Sequence, residues 1–219
     1  MPRLRSRLTL LPNRRYALPS GLNGIVPVPD RPTTIIEELV AASRGVVAII
    51  AGDRKAASYF DFSQRGLAGS FIAFLVITVF SAYLPAVTGQ ADDQIPTSRL
   101  LLMAAFLYVV QVGFSALVLR QLNRLDGLVP YLVADNWATF FVTAVSTIVS
   151  LFGQGGDFVL VVAALLVLVI EINISRLIVT LSPWQIAMFL VAQIVGVLIG
   201  LLIIGTIVPL PPELVTPPS

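Results

Sequence analysis

Residues 168–178 read LVIEINISRLI, an apolar run that carries Glu171, Asn173 and Arg176 where hydrocarbon is expected on both sides. An ionisable group at the centre of a membrane helix costs at least about 2.5 kcal/mol, so such a residue asks for a partner or a task. Glu171 and Arg176 are five residues apart, which sets them about 140° from each other on a helix and rules against a direct pair within the helix. Gln111 and Gln193 offer better partners. Measured from the ends of their own apolar runs, Gln111, Glu171 and Gln193 each lie about 14 to 15 Å deep at 1.5 Å per residue, which makes them candidates for one intramembrane polar layer. Asp135 and Asn136 read as shallower, about five residues past Pro130, and with Arg176 form a candidate interfacial polar cluster. Arg120 and Arg124 are further cations in reach of Asp135. Three readings of Glu171 stay open: hydrogen-bonded glue between helices, handling of protons or ions, and contact with another subunit.

The chemistry available is narrow. The 219 residues hold no His and no Cys, which removes imidazole bases, thiol nucleophiles, disulfides and the usual zinc and haem ligands. Hard cations bound by carboxylates are all that remain, and no metal, cofactor or catalytic set is expected. GQGGD at 153–157 approaches the Gly-x-Gly-Asp of intramembrane aspartyl proteases, but Gln154 stands where the first glycine belongs. Serine-hydrolase, P-loop and dinucleotide signatures are missing, and nucleic acid is not an expected partner.

The elements that must position these side chains follow from composition. With 57% hydrophobic and 12% charged residues, the chain is far more apolar than a soluble domain. A helical span needs about 20 apolar residues, and five stretches meet that: 66–87, 99–119, 131–152, 158–181 and 183–208. The runs lack alternation, which excludes barrel strands. The expected fold is an all-α, polytopic membrane bundle of five transmembrane helices over residues 66–208. Short polar connections predict neighbouring antiparallel helices. Ser182 before Pro183 has the form of a helix cap and first residue, so the fourth and fifth spans are expected to form a tight hairpin. Gly196 and Gly200, in GVLIG, mark a close helix contact.

Residues 1–33 form a basic arm with repeated prolines, read as extended along a surface of anionic lipid headgroups or docked on a partner. Its apolar stretch is too short for a signal peptide, so the N-terminus is expected to be retained. Residues 34–65 are expected to form a cytoplasmic interfacial helix and elbow. Thr34 and Glu37 fit a capping box, and Ala41, Gly45, Ala48 and Gly52 fall on one face where a second helix can approach. Tyr59, Phe60 and Phe62 beside Arg54, Lys55 and Arg65 predict an elbow seated among headgroups, and Ser63 a cap for the first span. Residues 209–219 are a short Pro-rich tail. Thirteen of the fourteen Lys and Arg fall on one side of the five spans, Arg99 being the exception. The N-terminus is therefore expected in the cytoplasm of a cell whose inner membrane holds the protein, and the C-terminus outside.

A proline-containing cytoplasmic region followed by five short-looped spans, with VADNWATF opening the third, resembles the Yip1-like membrane proteins. FDFSQRG differs from the tyrosine-glycine-proline motif of the eukaryotic members, and no functional residue carries over. The resemblance implies a non-enzymatic protein that organises membranes or binds partners. The leading expectation is accordingly a non-catalytic protein that assembles or stabilises a larger membrane complex with other membrane subunits. A small transporter or channel centred on Glu171 is the alternative.

Overall fold

The computed structural model describes residues 34–89, 96–151 and 156–207, and these are helical with no strand among them. The basic arm 1–33, the tail 209–219, Asp92, Asp93 and residues 153–155 of GQGGD lie outside the described residues. The chain divides into units Met1–Arg31 and Pro32–Ser219, and everything described belongs to the second. In chain order come α1 (Ile35–Ile50), a 3₁₀ turn (Ala56–Tyr59), α2 (Gln64–Val87), α3 (Thr97–Gln121), a second short turn (Leu125–Gly127), α4 (Leu128–Leu151), α5 (Gly156–Asn173) and α6 (Pro183–Ile207). Five helices are long and apolar enough to cross a membrane: Gln64–Val87, Thr97–Gln121, Leu125–Leu151, Val161–Ile178 and Pro183–Thr206. The molecule is a multi-pass, all-α membrane bundle.

Local chemistry sets the helix starts. The Thr34 hydroxyl accepts from the Glu37 N–H while the Glu37 carboxylate accepts from the Thr34 N–H, closing the capping box. Asp61 holds Ser63 through its backbone N–H (3.0 Å) and hydroxyl (2.8 Å), and the Ser63 oxygen accepts from the Gly66 N–H to start α2. Ser182 and Gln185 make a similar reciprocal cap at α6, with Pro183 at the first helical position.

Packing departs from the expected sequence of neighbours. The broadest helix contacts are α2 with α4, which run in the same direction, and α6 with α3. The connection from α5 to α6 is short, yet α6 leans away from α5 because its glycines admit α3. A Cβ at Gly196 would lie 2.9 Å from the Phe114 ring, and one at Gly200 would lie 2.8 Å from Leu107. The third span also starts earlier than its apolar run suggests. α4 takes Pro130 into its first turn, where a missing N–H costs nothing. The fourth span is not a plain helix. After Asn173 the chain widens into a π-helical turn (Ile174–Ile178) and stops at Thr180, whose φ is +58°.

The end of the bundle where α2, α4 and α6 begin holds the dry core: Ile49, Leu119, Tyr131, Ala134, Trp137, Ile174 and Phe189 are buried there. Towards the other end, Val145, Ile148, Val161, Leu165 and Leu198 are exposed, as suits a surface that faces lipid.

Two expectations for the N-terminal third are corrected. Gly52 is not on the packing face of α1, because the helix ends at Ile50, Ala51 caps it, and Gly52 turns the chain with φ +71°. The face buried on the bundle is Ala42, Gly45, Val46, Ala48 and Ile49, with Ala41 half-buried beside it. The elbow aromatics point inward. Phe60 stacks on Phe62, is buried, and fills the notch at Gly45, where a Cβ would meet its ring at 2.5 Å. Tyr59 and Phe62 pack against the same core. Burying Phe60 in the Gly45 notch, with Tyr59 and Phe62 partly covered on the same core, outweighs the headgroup preference of aromatic residues.

Glu38 lies on this α1 surface against Gly69, with one carboxylate oxygen buried and unpartnered. Burial raises its pKa above the ordinary 4.5, the charge of Asp61 adds to that, and Arg65 opposes it. The folded state therefore binds this proton more tightly than the unfolded chain. Its contribution is fully present below pH 4.5 and declines as pH rises through the folded value. Melting curves in detergent from about pH 4 to 8 should show that decline, and Glu38→Gln should remove it; an unchanged slope would show that Glu38 has no part in it.

Candidate functional site: an intramembrane carboxyl pair

Tyr131, in the second turn of α4, is fully buried, and its hydroxyl is the hub of the polar side chains in the bundle. It donates to the Glu171 carboxylate of α5 at 3.2 and 3.3 Å. It accepts from the Gln193 amide of α6 at 2.8 Å and meets the Gln111 side chain of α3. The same Gln193 amide donates to Ser115 Oγ at 2.8 Å, and Ser115 in turn donates to the Gln111 carbonyl. Gln111, Glu171 and Gln193 thus converge from three helices on one phenol. One acceptor of this network, Gln193 Oε1, is buried without a donor.

Asp135 lies one helical turn beyond Tyr131, on the same small cavity as Glu171, so the two carboxyl groups are brought together inside the bundle. The cavity is about 70 Å³, and Asp135, Thr139, Thr143 and Glu171 line it among apolar neighbours. That space admits one or two waters or a bare cation.

The expected cluster of Asp135, Asn136 and Arg176 does not form. The earlier start of α4, with the 3₁₀ turn before it, sets Asp135 beside Glu171 on one buried cavity instead of at the surface. Asn136 points to another interface, where it donates to Ser70 of α2 (3.3 Å) and accepts from Tyr108 of α3 (3.1 Å). Arg176 is exposed. Nor does Arg124 reach Asp135. Its guanidinium bonds the Val179 carbonyl, the Thr180 carbonyl (3.1 Å) and the Thr180 hydroxyl (2.6 Å), satisfying acceptors left open where the π turn ends. Asn173 reaches across to the Ile49 carbonyl at 2.8 Å and ties the end of α1 to α5.

Tyr131, Ser115, Thr139 and Thr143 were not singled out by sequence reasoning, though a signal exists. Tyr131, Asp135, Thr139, Thr143 and Thr147 recur every four residues, a stripe in which each residue neighbours the next while the row winds about 40° per step around α4. Among the described residues no group of three acidic residues is placed to hold a metal ion. What the pair can do is hold a proton between two carboxyls, or hold a monovalent cation between carboxylate and hydroxyl oxygens. The fold and the site define a multi-pass helical membrane protein with a paired carboxyl site inside its bundle. The chain matches none of the known protein families, curated proteins or solved structures with which it was compared.

Proposed function

We propose that this is a non-catalytic membrane protein that binds a proton or small monovalent cation at Asp135 and Glu171, as a small transporter or as the coupling subunit of one. The observation that carries this reading is the placing of two carboxyl side chains from different spans on one small cavity inside the bundle. Glue between helices is made more cheaply from amides, and two carboxyls facing each other in a bundle serve poorly unless the proton is the point. Proton- or sodium-driven flux in proteoliposomes tests it, with Glu171→Gln as the decisive variant.

A second reading, assembly of a larger membrane complex, has its own support. Ile35, Ile36, Val40 and Val47 of α1 are exposed in a row beside Arg44, a surface suited to anionic lipid headgroups or another membrane subunit. The layout similar to Yip1-like proteins favours it too. Under both readings the protein sits in the inner membrane of its cell, N-terminus in the cytoplasm, as the distribution of Lys and Arg supports. Reporter fusions at residues 125 and 219 should read inside and outside respectively; an inside reading at 219 would overturn this orientation.

A further inference from the structure

A second cleft, of about 410 Å³, opens between the C-terminal halves of α2 and α4 and the start of α5. Ser81, Thr88, Thr143, Ser146, Thr147 and Ser150 put six hydroxyls on its wall. It shares Val142 and Thr143 with the small cavity beside the carboxyl pair, so the two spaces adjoin across those side chains. On α4 the polar stripe continues through Asp135, Thr139, Thr143, Thr147 and, one turn on, Ser150, a run of about 22 Å at 1.5 Å per residue that winds about 120° between Asp135 and Thr147.

Among apolar neighbours, three of these hydroxyls already use their protons within the protein. The hydroxyls of Ser81, Thr88 and Ser150 donate to carbonyls of their own helices, at 3.1 Å to Thr78, 3.0 Å to Leu84 and 2.9 Å to Ser146. Their lone pairs are left for whatever occupies the cleft. Pro85, which also lines it, has no N–H to offer the Ser81 carbonyl one turn back, which frees a further acceptor. Among the described residues no Lys or Arg stands on this wall. Such a lining suits water and cations better than an anion, which would meet hydroxyl dipoles and no positive charge from these residues. At the inner end, beyond the pair, the buried Gln193 Oε1 is an acceptor still in want of a donor.

We infer that the cleft is a water-filled half-channel, through which a hydronium or sodium-sized cation reaches Asp135 and Glu171 from the end of the bundle where α2 and α4 finish. The opposite end is closed by the dry core. The inference rests on the reading of the pair as a cation site, and two measurements separate the fates of the two ideas.

The first uses the absence of native cysteine. Single cysteines at Thr143, Ser146 and Thr147, with Ile148→Cys as the lipid-facing control, are exposed in sealed vesicles to a cationic, membrane-impermeant methanethiosulfonate. Modification at the three cleft positions should occur from the α2 and α4 C-terminal side alone, at least about tenfold faster than at the control, because only a thiol in water ionises. Slow reaction at all three cleft positions, or reaction from the opposite side, overturns the half-channel. The second measurement is the dicyclohexylcarbodiimide adduct at Glu171 or Asp135 in the unmodified protein, read by mass spectrometry. An adduct together with silent cysteines keeps the pair and ends the route. Reactive cysteines with no adduct at any pH keep the water-filled cleft and end the pair as its destination. Where both succeed, slowing of the adduct by sodium chloride but not by choline chloride identifies sodium as the cation, and indifference to sodium identifies the proton.

Discussion

Glu171→Gln is expected to give a folded bundle that has lost its response to protons or cations. The amide oxygen still accepts from the Tyr131 hydroxyl, and the new NH₂ lies with Asp135 on the small cavity, so both neighbours of the native carboxyl keep a polar group beside them. The change in stability should stay below about 0.6 kcal/mol, the mean worth of a hydrogen bond between membrane helices. Flux or cation-dependent binding, by contrast, should disappear, since neither a proton nor a charge can be stored on an amide. Glu171→Leu separates the two effects further. It removes the acceptor of Tyr131 and the partner of Asp135 together and should cost about 0.6 to 2 kcal/mol. Asp135→Asn should mirror Glu171→Gln, because each residue is half of one site. Flux in proteoliposomes and thermal unfolding in detergent measure the two quantities side by side. A Gln variant with full function in a pH-dependent assay would return Glu171 to a purely structural role and leave complex assembly as the better account.

The largest expected effect on stability comes from a methyl group at Gly66. A Cβ there would fall on the Asp61 carbonyl oxygen and lie 2.7 Å from its carbonyl carbon. Both are backbone atoms of the elbow, held by the Asp61 and Ser63 cap and by the burial of Phe60, so they have little room to retreat. Gly66→Ala should therefore destabilise by about 1 to 3 kcal/mol, the range for overpacking a filled interior. Alanine's better helix propensity offsets at most about 1 kcal/mol of that. Gly69→Ala is the comparison. Its Cβ would meet Glu38 Oε1 at 2.7 Å, but that atom ends a flexible side chain that can swing aside. Thermal unfolding and limited proteolysis at Arg54 and Lys55 should separate the variants, Gly66→Ala melting lower and being cut faster at the elbow. Equal behaviour would show that the elbow carbonyl yields as easily as the Glu38 side chain.

The parts of this molecule legible in its sequence are those that a single helix specifies by itself. Apolar length predicts five spans, and Thr34 with Glu37, Ser63, and Ser182 with Pro183 predict helix starts, because these signals act within a few residues. Depth counting brought Gln111, Glu171 and Gln193 to one level, since rise per residue is fixed. Rotation about each helix axis is not fixed in that way. It is set by which side chains interlock, so nothing in the spacing tells that Asn136 faces Ser70 and Tyr108 while Asp135, its neighbour, shares a cavity with Glu171. The elbow rings were misplaced for a related reason: the notch at Gly45 that receives Phe60 exists only when α1 and the elbow are folded together. The π turn had no visible signal, because the Arg124 guanidinium that satisfies its last carbonyls comes from a distant loop.

Chain order gives the hub on Tyr131 a meaning for biosynthesis. Asp135 and Glu171 belong to consecutive spans, α4 and α5, so a translocating chain delivers each carboxyl with its companion as one helical hairpin, and neither has to wait alone in hydrocarbon. Gln193 arrives last, on α6. Until it does, the phenol has neither that amide nor the Phe189 ring that shields it, and the buried end of the bundle stands open along one flank. A ribosome that stalls before α6 leaves behind a bundle with a polar seam facing lipid, the kind of surface by which membrane quality control recognises an orphan.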